Sequence, residues 1–178
     1  ASSHLNKLVA GDLVKVAAQG RHRYYQLSNP EVVHALEALA LIAPDSEKHV
    51  QQKPLDDIRY ARSCYDHLAG KVGVLVTQAL LKQKYITLID KNSTITTHGE
   101  KFFASLGIHT QELIRARRRL AYPCLDWSER IHHLAGALGA ALLQTIIDKR
   151  WGIRSKKSRA LHLTPQGKHN LNNLFKIE

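Results

Sequence analysis

The sequence predicts an α-rich α+β protein: one helix-hairpin-helix unit first, then a C-terminal domain of two related units of the same kind. Three observations predict it. Apolar residues at helical spacing alternate with short two-residue-period runs that end in turn residues. A polar stretch over 44–54 holds almost no core-forming residues and reads as a linker. The heptapeptide HLAGKVG at 67–73 returns as HLAGALG at 133–139, and the run from Leu68 to Tyr85 aligns without gaps on the run from Leu134 to Trp151. At 178 residues the chain is long enough for one or two small domains with real cores.

In the first part, 1–43, Leu5 and Leu8 or Val9 keep helical spacing and Gly11 is placed to end that helix. Because the chain enters at once as the C-terminal part of an amphipathic helix, Ala1 reads as the start of a fragment or of an ordered region. Leu13 to Val16 alternates, Gln19-Gly20 supplies a turn and Tyr24 to Leu27 returns, which predicts a hairpin whose tip is Arg21-His22-Arg23. Asn29-Pro30 stops the strand. Glu31 to Ile42 then carries Val32, Val33, Leu36, Leu39 and Ala40 on one stripe that wants a partner.

The second part, 55–178, reads as repeat units over about 55–107 and 124–178. From Leu55 to about Lys84 the apolar intervals predict one long helix. A hairpin follows, Tyr85 to Ile89 and Ser93 to Thr96 across Asp90-Lys91-Asn92, and then a short helix to about Leu106. Ile108 to Leu120 reads as a further helix that closes before Pro123. Asp126-Trp127-Ser128-Glu129 fits an N-cap with Glu three residues on, and predicts a helix to about Lys149. Trp151 to Arg154 and Ala160 to Leu163 form a third hairpin around a basic turn. Thr164-Pro165 opens the last helix with proline at its first position, and the T-x-x-G of Thr96 recurs at Thr164.

Lys and Arg outnumber Asp and Glu by 26 to 15, and the formal charge of +11 favours a polyanionic partner. Nucleic acid is preferred over membrane, because no strongly basic amphipathic helix appears; the lack of a membrane-length apolar run and of a signal pattern leads us to expect a soluble, intracellular protein. Two cysteines, Cys64 and Cys124, are too few for a secreted disulfide scaffold, and they agree with a reducing cytoplasm.

A helix, a two-stranded wing and a following helix are the C-terminal part of a winged helix-turn-helix unit, whose recognition helix enters the major groove. The segment SSHLNKLVAGDLVKVAAQGRHRYYQLSNPEV, with its G-R-x-x-Y-Y-x-L wing from Gly20 to Leu27, resembles the arsenic-repressor (ArsR-type) family of bacterial transcriptional regulators. CYDHLAG and CLDWSERIHHLAGALG look like the C-terminal extension of one branch of that family, so the resemblance covers most of the chain. It implies a winged-helix DNA-binding unit, N-terminally incomplete here, followed by a C-terminal domain of two winged-helix-like repeats. It also implies further helices before Ala1, in a region where that family often carries a thiolate metal site.

Candidate DNA-binding residues are Ser2, Ser3, His4, Asn6 and Lys7 on the helix and Arg21, His22 and Arg23 on the wing, the plainer alternative being a solvated basic turn. The third hairpin, with Arg150, Arg154, Lys156, Lys157 and Arg159, is a second candidate contact or a solubilising loop. Arg115 to Arg119 reads as cations placed near a helix C-terminus. Gly70, Gly73, Gly136 and Gly139 cost about 1 kcal/mol each against alanine inside a helix, which suggests two repeat helices packed glycine face to glycine face, the alternative being a ligand lodged against the bare backbone.

Near those glycines stand Cys64, Asp66, His67, Cys124, Asp126, His132 and His133, candidate effector or metal ligands that converge if the two repeats pair. Zinc or another soft metal would need four of them in tetrahedral reach, yet no local pair has a recognised ligand spacing. Cys124, placed before a helix N-terminus with Arg118 and Arg119 nearby, could instead sense oxidation; buried structural cysteine is the default. No nucleophile elbow, phosphate loop or hydrolase motif occurs, so no enzyme is expected. The sequence reads as a dimeric, sequence-specific regulator that binds double-stranded operator DNA and, by resemblance, represses, with an effector acting on the C-terminal domain. The alternatives are a protein-protein adaptor on winged-helix scaffolds and a metal or thiol redox sensor using Cys64 and Cys124.

Overall fold

The computed structural model describes residues 2–19, 22–42, 53–89 and 92–177. The chain divides into two compact units, Ala1–Asp45 and Ser46–Glu178. Most of the expected linker lies outside the described residues, and its last two residues already belong to a helix.

In the first unit, α1 (Ser2–Ala10) ends where the Gly11 and Leu13 amides turn back to the Lys7 and Leu8 carbonyls, each at 3.0 Å. The strands β1 (Val14–Gln19) and β2 (His22–Leu27) pair antiparallel from Val14 opposite Leu27 to Gln19 opposite His22. The Asn29 side chain accepts from the Val32 amide at 2.9 Å and caps α2 (Pro30–Ile42). On that helix Leu36, Leu39 and Ile42 are exposed, whereas Val14 of β1 is buried.

The second unit starts with α3 (Lys53–Tyr60) and then departs from the sequence expectation. In place of one helix over 55–84 there are α3, a hairpin of β3 (Arg62–Cys64) and β4 (His67–Ala69), and α4 (Gly70–Lys82). The same correction applies to the helix expected from Asp126: β7 (Tyr122–Leu125) and β8 (His132–Ala135) form a hairpin, and α7 (Gly136–Asp148) begins only after it. All three residues of β4 are buried, and a fully buried short strand cannot be told from a helix segment by its spacing. Gly70 and Gly136 make the break, with φ of +79° and +90°.

Between these hairpins lie β5 (Ile86–Ile89) and β6 (Asn92–Ile95), α5 (Thr97–Ser105) and α6 (Thr110–Arg115). The last helix is thus shorter than the expected Ile108 to Leu120: Ile108 is buried ahead of it and the chain leaves helical geometry at Ala116. After α7 come β9 (Gly152–Arg154), β10 (Leu161–Leu163) and α8 (Pro165–Phe175).

The recurrent T-x-x-G is a helix cap joined to a chain tie. Thr96 Oγ1 accepts from the Gly99 amide at 2.9 Å and donates to the Lys84 carbonyl at 2.7 Å. Thr164 does the same with the Gly167 amide and the Arg150 carbonyl, both at 3.0 Å. A Cβ at Gly99 or Gly167 would stand 1.9 Å from the Tyr85 or Trp151 carbonyl oxygen, so each turn admits only glycine.

The two repeats interlock. The helix α4 packs on β8 and α7 packs on β4. Hairpin β5–β6 abuts β7, with the Ser93 amide donating to the Ala121 carbonyl at 3.0 Å, and hairpin β9–β10 abuts β3, with Leu161 donating to Ala61 at 2.9 Å. Leu80, Phe103, Leu138, Leu143 and Leu171 fill the shared core. The expectation of glycine face against glycine face is therefore corrected. A Cβ at Gly73 or Gly139 would stand 2.6 or 2.3 Å from the Leu68 or Leu134 carbonyl oxygen, so these glycines let each helix fold back on the strand before it.

Candidate functional site

Each N-terminal hairpin of the second unit presents one cysteine opposite one histidine. Cys64 pairs in register with His67 across β3–β4, and Cys124 pairs with His133 across β7–β8. Directly opposed residues on an antiparallel pair place their side chains on one face. The interlocking of the repeats then turns the two faces toward each other, so that one ligand atom from each of Cys64, His67, Cys124 and His133 lies within 4.8 Å of every other. Cys64, His67 and His133 are buried and Cys124 is half-buried.

The histidines are oriented from behind. His67 Nδ1 is 3.4 Å from Asp66 Oδ1, and His133 Nδ1 is 3.0 Å from Asp126 Oδ2, a close ionic contact off the line of a hydrogen bond. Their Nε2 atoms consequently face one another at 3.1 Å. Each carboxylate is balanced by an arginine that precedes the opposite hairpin's turn: Arg62 meets Asp126 at 2.8 Å with both side chains fully buried, and Arg118 grips both oxygens of Asp66, at 2.9 Å through Nη2. Asp126 also accepts from the Gly70 amide at 2.7 Å and from the Ser128 amide at 3.0 Å.

These contacts fix the charge state. Burial works against ionised Asp126, but His133, Arg62 and the Gly70 amide outweigh it and hold the carboxyl below its ordinary range. For Asp66, burial is likewise overcome by Arg118. Burial opposes the charged imidazole of His133 too, yet Asp126 and Cys64 raise its pKa. The Cys124 thiol beside it, together with burial, pushes Cys64 up to about 12. A thiol so raised is a poor nucleophile at neutral pH, whereas a cation that displaces its proton would find two sulfurs and two imidazole nitrogens on one point.

Four of the candidate ligands thus converge. Asp66 and Asp126 stand behind the histidines, and His132, on β8, is exposed. The helix N-terminus expected at Cys124 is replaced by strand β7, while Arg118 is engaged by Asp66 and Arg119 lies over the Tyr122 ring at 4.3 Å. Arg62 and the Gly70 amide escaped sequence reasoning, and Arg118 was read as a neighbour of the Cys124 thiol where the structure pairs it with Asp66. The available signal was the shared C-x-D before H-L-A-G in both copies, hidden by a hairpin loop that is longer in the second.

In the first unit, Ser3, His4, Asn6 and Lys7 are exposed on α1, Ser2 opens that helix, His22 opens β2 and Arg23 is exposed on it. Arg21 lies outside the described residues. In the second unit Arg154, Lys156 and Lys157 are exposed on and beside the β9–β10 turn. Among the described residues no helix is long and apolar enough to cross a membrane.

The chain belongs to the helix-turn-helix (HTH-type) transcriptional regulators, DNA-binding proteins that are not enzymes. The similarity behind this is to the Bacillus subtilis (strain 168) protein described as the uncharacterized HTH-type transcriptional regulator YdfF: 44% identity over 170 residues, spanning 94% of this chain and 75% of that one. No family model matches the chain, and no solved structure does.

Proposed function

We propose that the protein is a dimeric repressor of the arsenic-repressor (ArsR) type. In this reading the first unit is a winged-helix DNA-binding unit, with α1 as the end of the recognition helix and β1–β2 as the wing. The second unit is built on two winged-helix-like scaffolds and receives the effector. One observation carries the reading: a short helix that exposes Ser3, His4, Asn6 and Lys7, among others, runs straight into a two-stranded hairpin bearing Arg23. Such a pairing suits base edges on the helix and phosphates on the hairpin. The exposed Leu36, Leu39 and Ile42 on α2 supply an apolar face for a second copy.

Fluorescence anisotropy of the full-length protein against its own promoter duplex and a scrambled duplex, at two salt concentrations, tests it. A preference of about 10³-fold or more with a steep salt slope is expected of a specific repressor. Equal weak binding to both duplexes would reduce the interaction to charge attraction and favour the adaptor reading.

A further inference from the structure

We infer that the second unit binds one tetrahedral divalent metal ion of the zinc class through Cys64 Sγ, Cys124 Sγ, His67 Nε2 and His133 Nε2. The inference stands independently of the repressor reading and of any metal site ahead of Ala1. Donor atoms about 2.0–2.3 Å from a tetrahedral ion lie roughly 3.3–3.8 Å apart. The Nε2 atoms are already 3.1 Å apart and all four donors lie within 4.8 Å, so small side-chain adjustments close the sphere.

Three features select a metal over a packed cluster of polar groups. Both Nδ1 atoms face carboxylates, the outer-shell partner that ligating histidines use to fix their tautomer. The two Nε2 atoms so oriented face one another across 3.1 Å, close to the separation of two donors on one tetrahedral ion. Charge also balances: the two carboxylates are matched by Arg62 and Arg118, so two thiolates are left to neutralise a divalent ion. Two thiolates and two imidazoles suit zinc, and four protein ligands leave no open position, as in a structural site. Binding M²⁺ releases the two thiol protons, with no change of oxidation state.

The test uses the full chain, purified reduced from zinc-supplemented growth and assayed for metal by mass spectrometry, then stripped and titrated with cobalt(II). One zinc per chain is expected, along with intense tetrahedral ligand-field bands and a thiolate-to-cobalt charge-transfer band. That band should weaken in Cys64→Ser and in Cys124→Ser, while His132→Ala leaves it unchanged. Should the cysteine variants fail to fold, Asp66→Asn, at a half-buried position, is expected to weaken cobalt affinity by about 10–100-fold. Metal-free wild type with only the pale spectrum of hydrated cobalt would overturn the assignment. So would a charge-transfer band untouched by either cysteine change, or an Asp66→Asn affinity equal to wild type.

Discussion

Replacing Arg62 by Met removes the countercharge of a fully buried carboxylate. Arg62 Nη2 meets Asp126 Oδ1 at 2.8 Å, Nη1 donates to the Ile58 carbonyl at 3.2 Å and to Ser128 Oγ at 3.1 Å, and the guanidinium lies 4.8 Å over the Trp127 ring. Methionine refills much of the volume but makes none of these polar contacts. Asp126 keeps the Gly70, Ser128 and Glu129 amides and its contact with His133, so its hydrogen bonding survives while its charge loses its only arginine partner among the described contacts. Breaking a buried pair from one side costs about 3–5 kcal/mol, two to four orders of magnitude in the folding equilibrium. Urea unfolding in chelating buffer, followed by tryptophan fluorescence, measures it, since both tryptophans, Trp127 and Trp151, lie in the second unit. The double variant Arg62→Met/Asp126→Asn should lose less than the sum of its single changes, because it no longer buries an orphan charge. A single-variant loss under about 1 kcal/mol would refute the reasoning, since that is the range of solvent-screened pairs.

Gly99→Ala and Gly167→Ala each drive a methyl into a carbonyl oxygen at 1.9 Å; each is expected to lower stability by about 2–3 kcal/mol or more in thermal melts. With free zinc at about a hundred times its dissociation constant, the second unit should gain about 2.7 kcal/mol over its chelated form; coincident melts with and without zinc would contradict this. Lys7→Ala and Arg23→Ala, at exposed positions of α1 and β2, should each weaken duplex binding across sequences and reduce the salt slope by about one.

Elements that end in turn chemistry were legible in the sequence. Asn29-Pro30 ahead of α2, the T-x-x-G caps of α5 and α8, and the β5–β6 and β9–β10 hairpins all stand close to where their residues put them. The hairpins carrying the ligands were not legible. Their strands are three or four residues long, and the buried His-Leu-Ala run imitates a helix interior when it adjoins a real helix. The repeated glycines were read as a contact between helices, whereas Gly73 and Gly139 record a helix folding back on its own strand and Gly70 and Gly136 a positive-φ break between strand and helix. Convergence of Cys64, His67, Cys124 and His133 was conditional on pairing of the repeats. That pairing is set by long-range strand and helix contacts which periodicity does not encode. Arg62 gave no signal, because nothing local marks one arginine among many as buried.

The two halves of the ligand cluster are related by duplication yet differ in stiffness, and the difference predicts a path for the ion. The Asp126 side is sealed: Asp126, Arg62 and His133 are all buried, and the loop from Trp127 to Ile131 closes over the carboxylate through the Ser128 and Glu129 amides. The Asp66 side opens to solvent, with Asp66 at 32% and Arg118 at 39% exposure and Cys124 half-buried. An ion entering or leaving must therefore pass Cys124 and the Asp66–Arg118 pair. Arg118→Ala removes that latch while leaving all four ligands and the buried pair in place. Its stability cost should stay within about 1 kcal/mol, as for a partly exposed ion pair, while zinc transfer to a chromophoric chelator should accelerate several-fold. A change on the sealed side, Ser128→Ala, which removes a hydroxyl that donates to Asp126, should leave the transfer rate near wild type. If the two variants released zinc at equal rates, the exchange path would not run along the Asp66 edge, and opening of the whole hairpin pair would have to precede release.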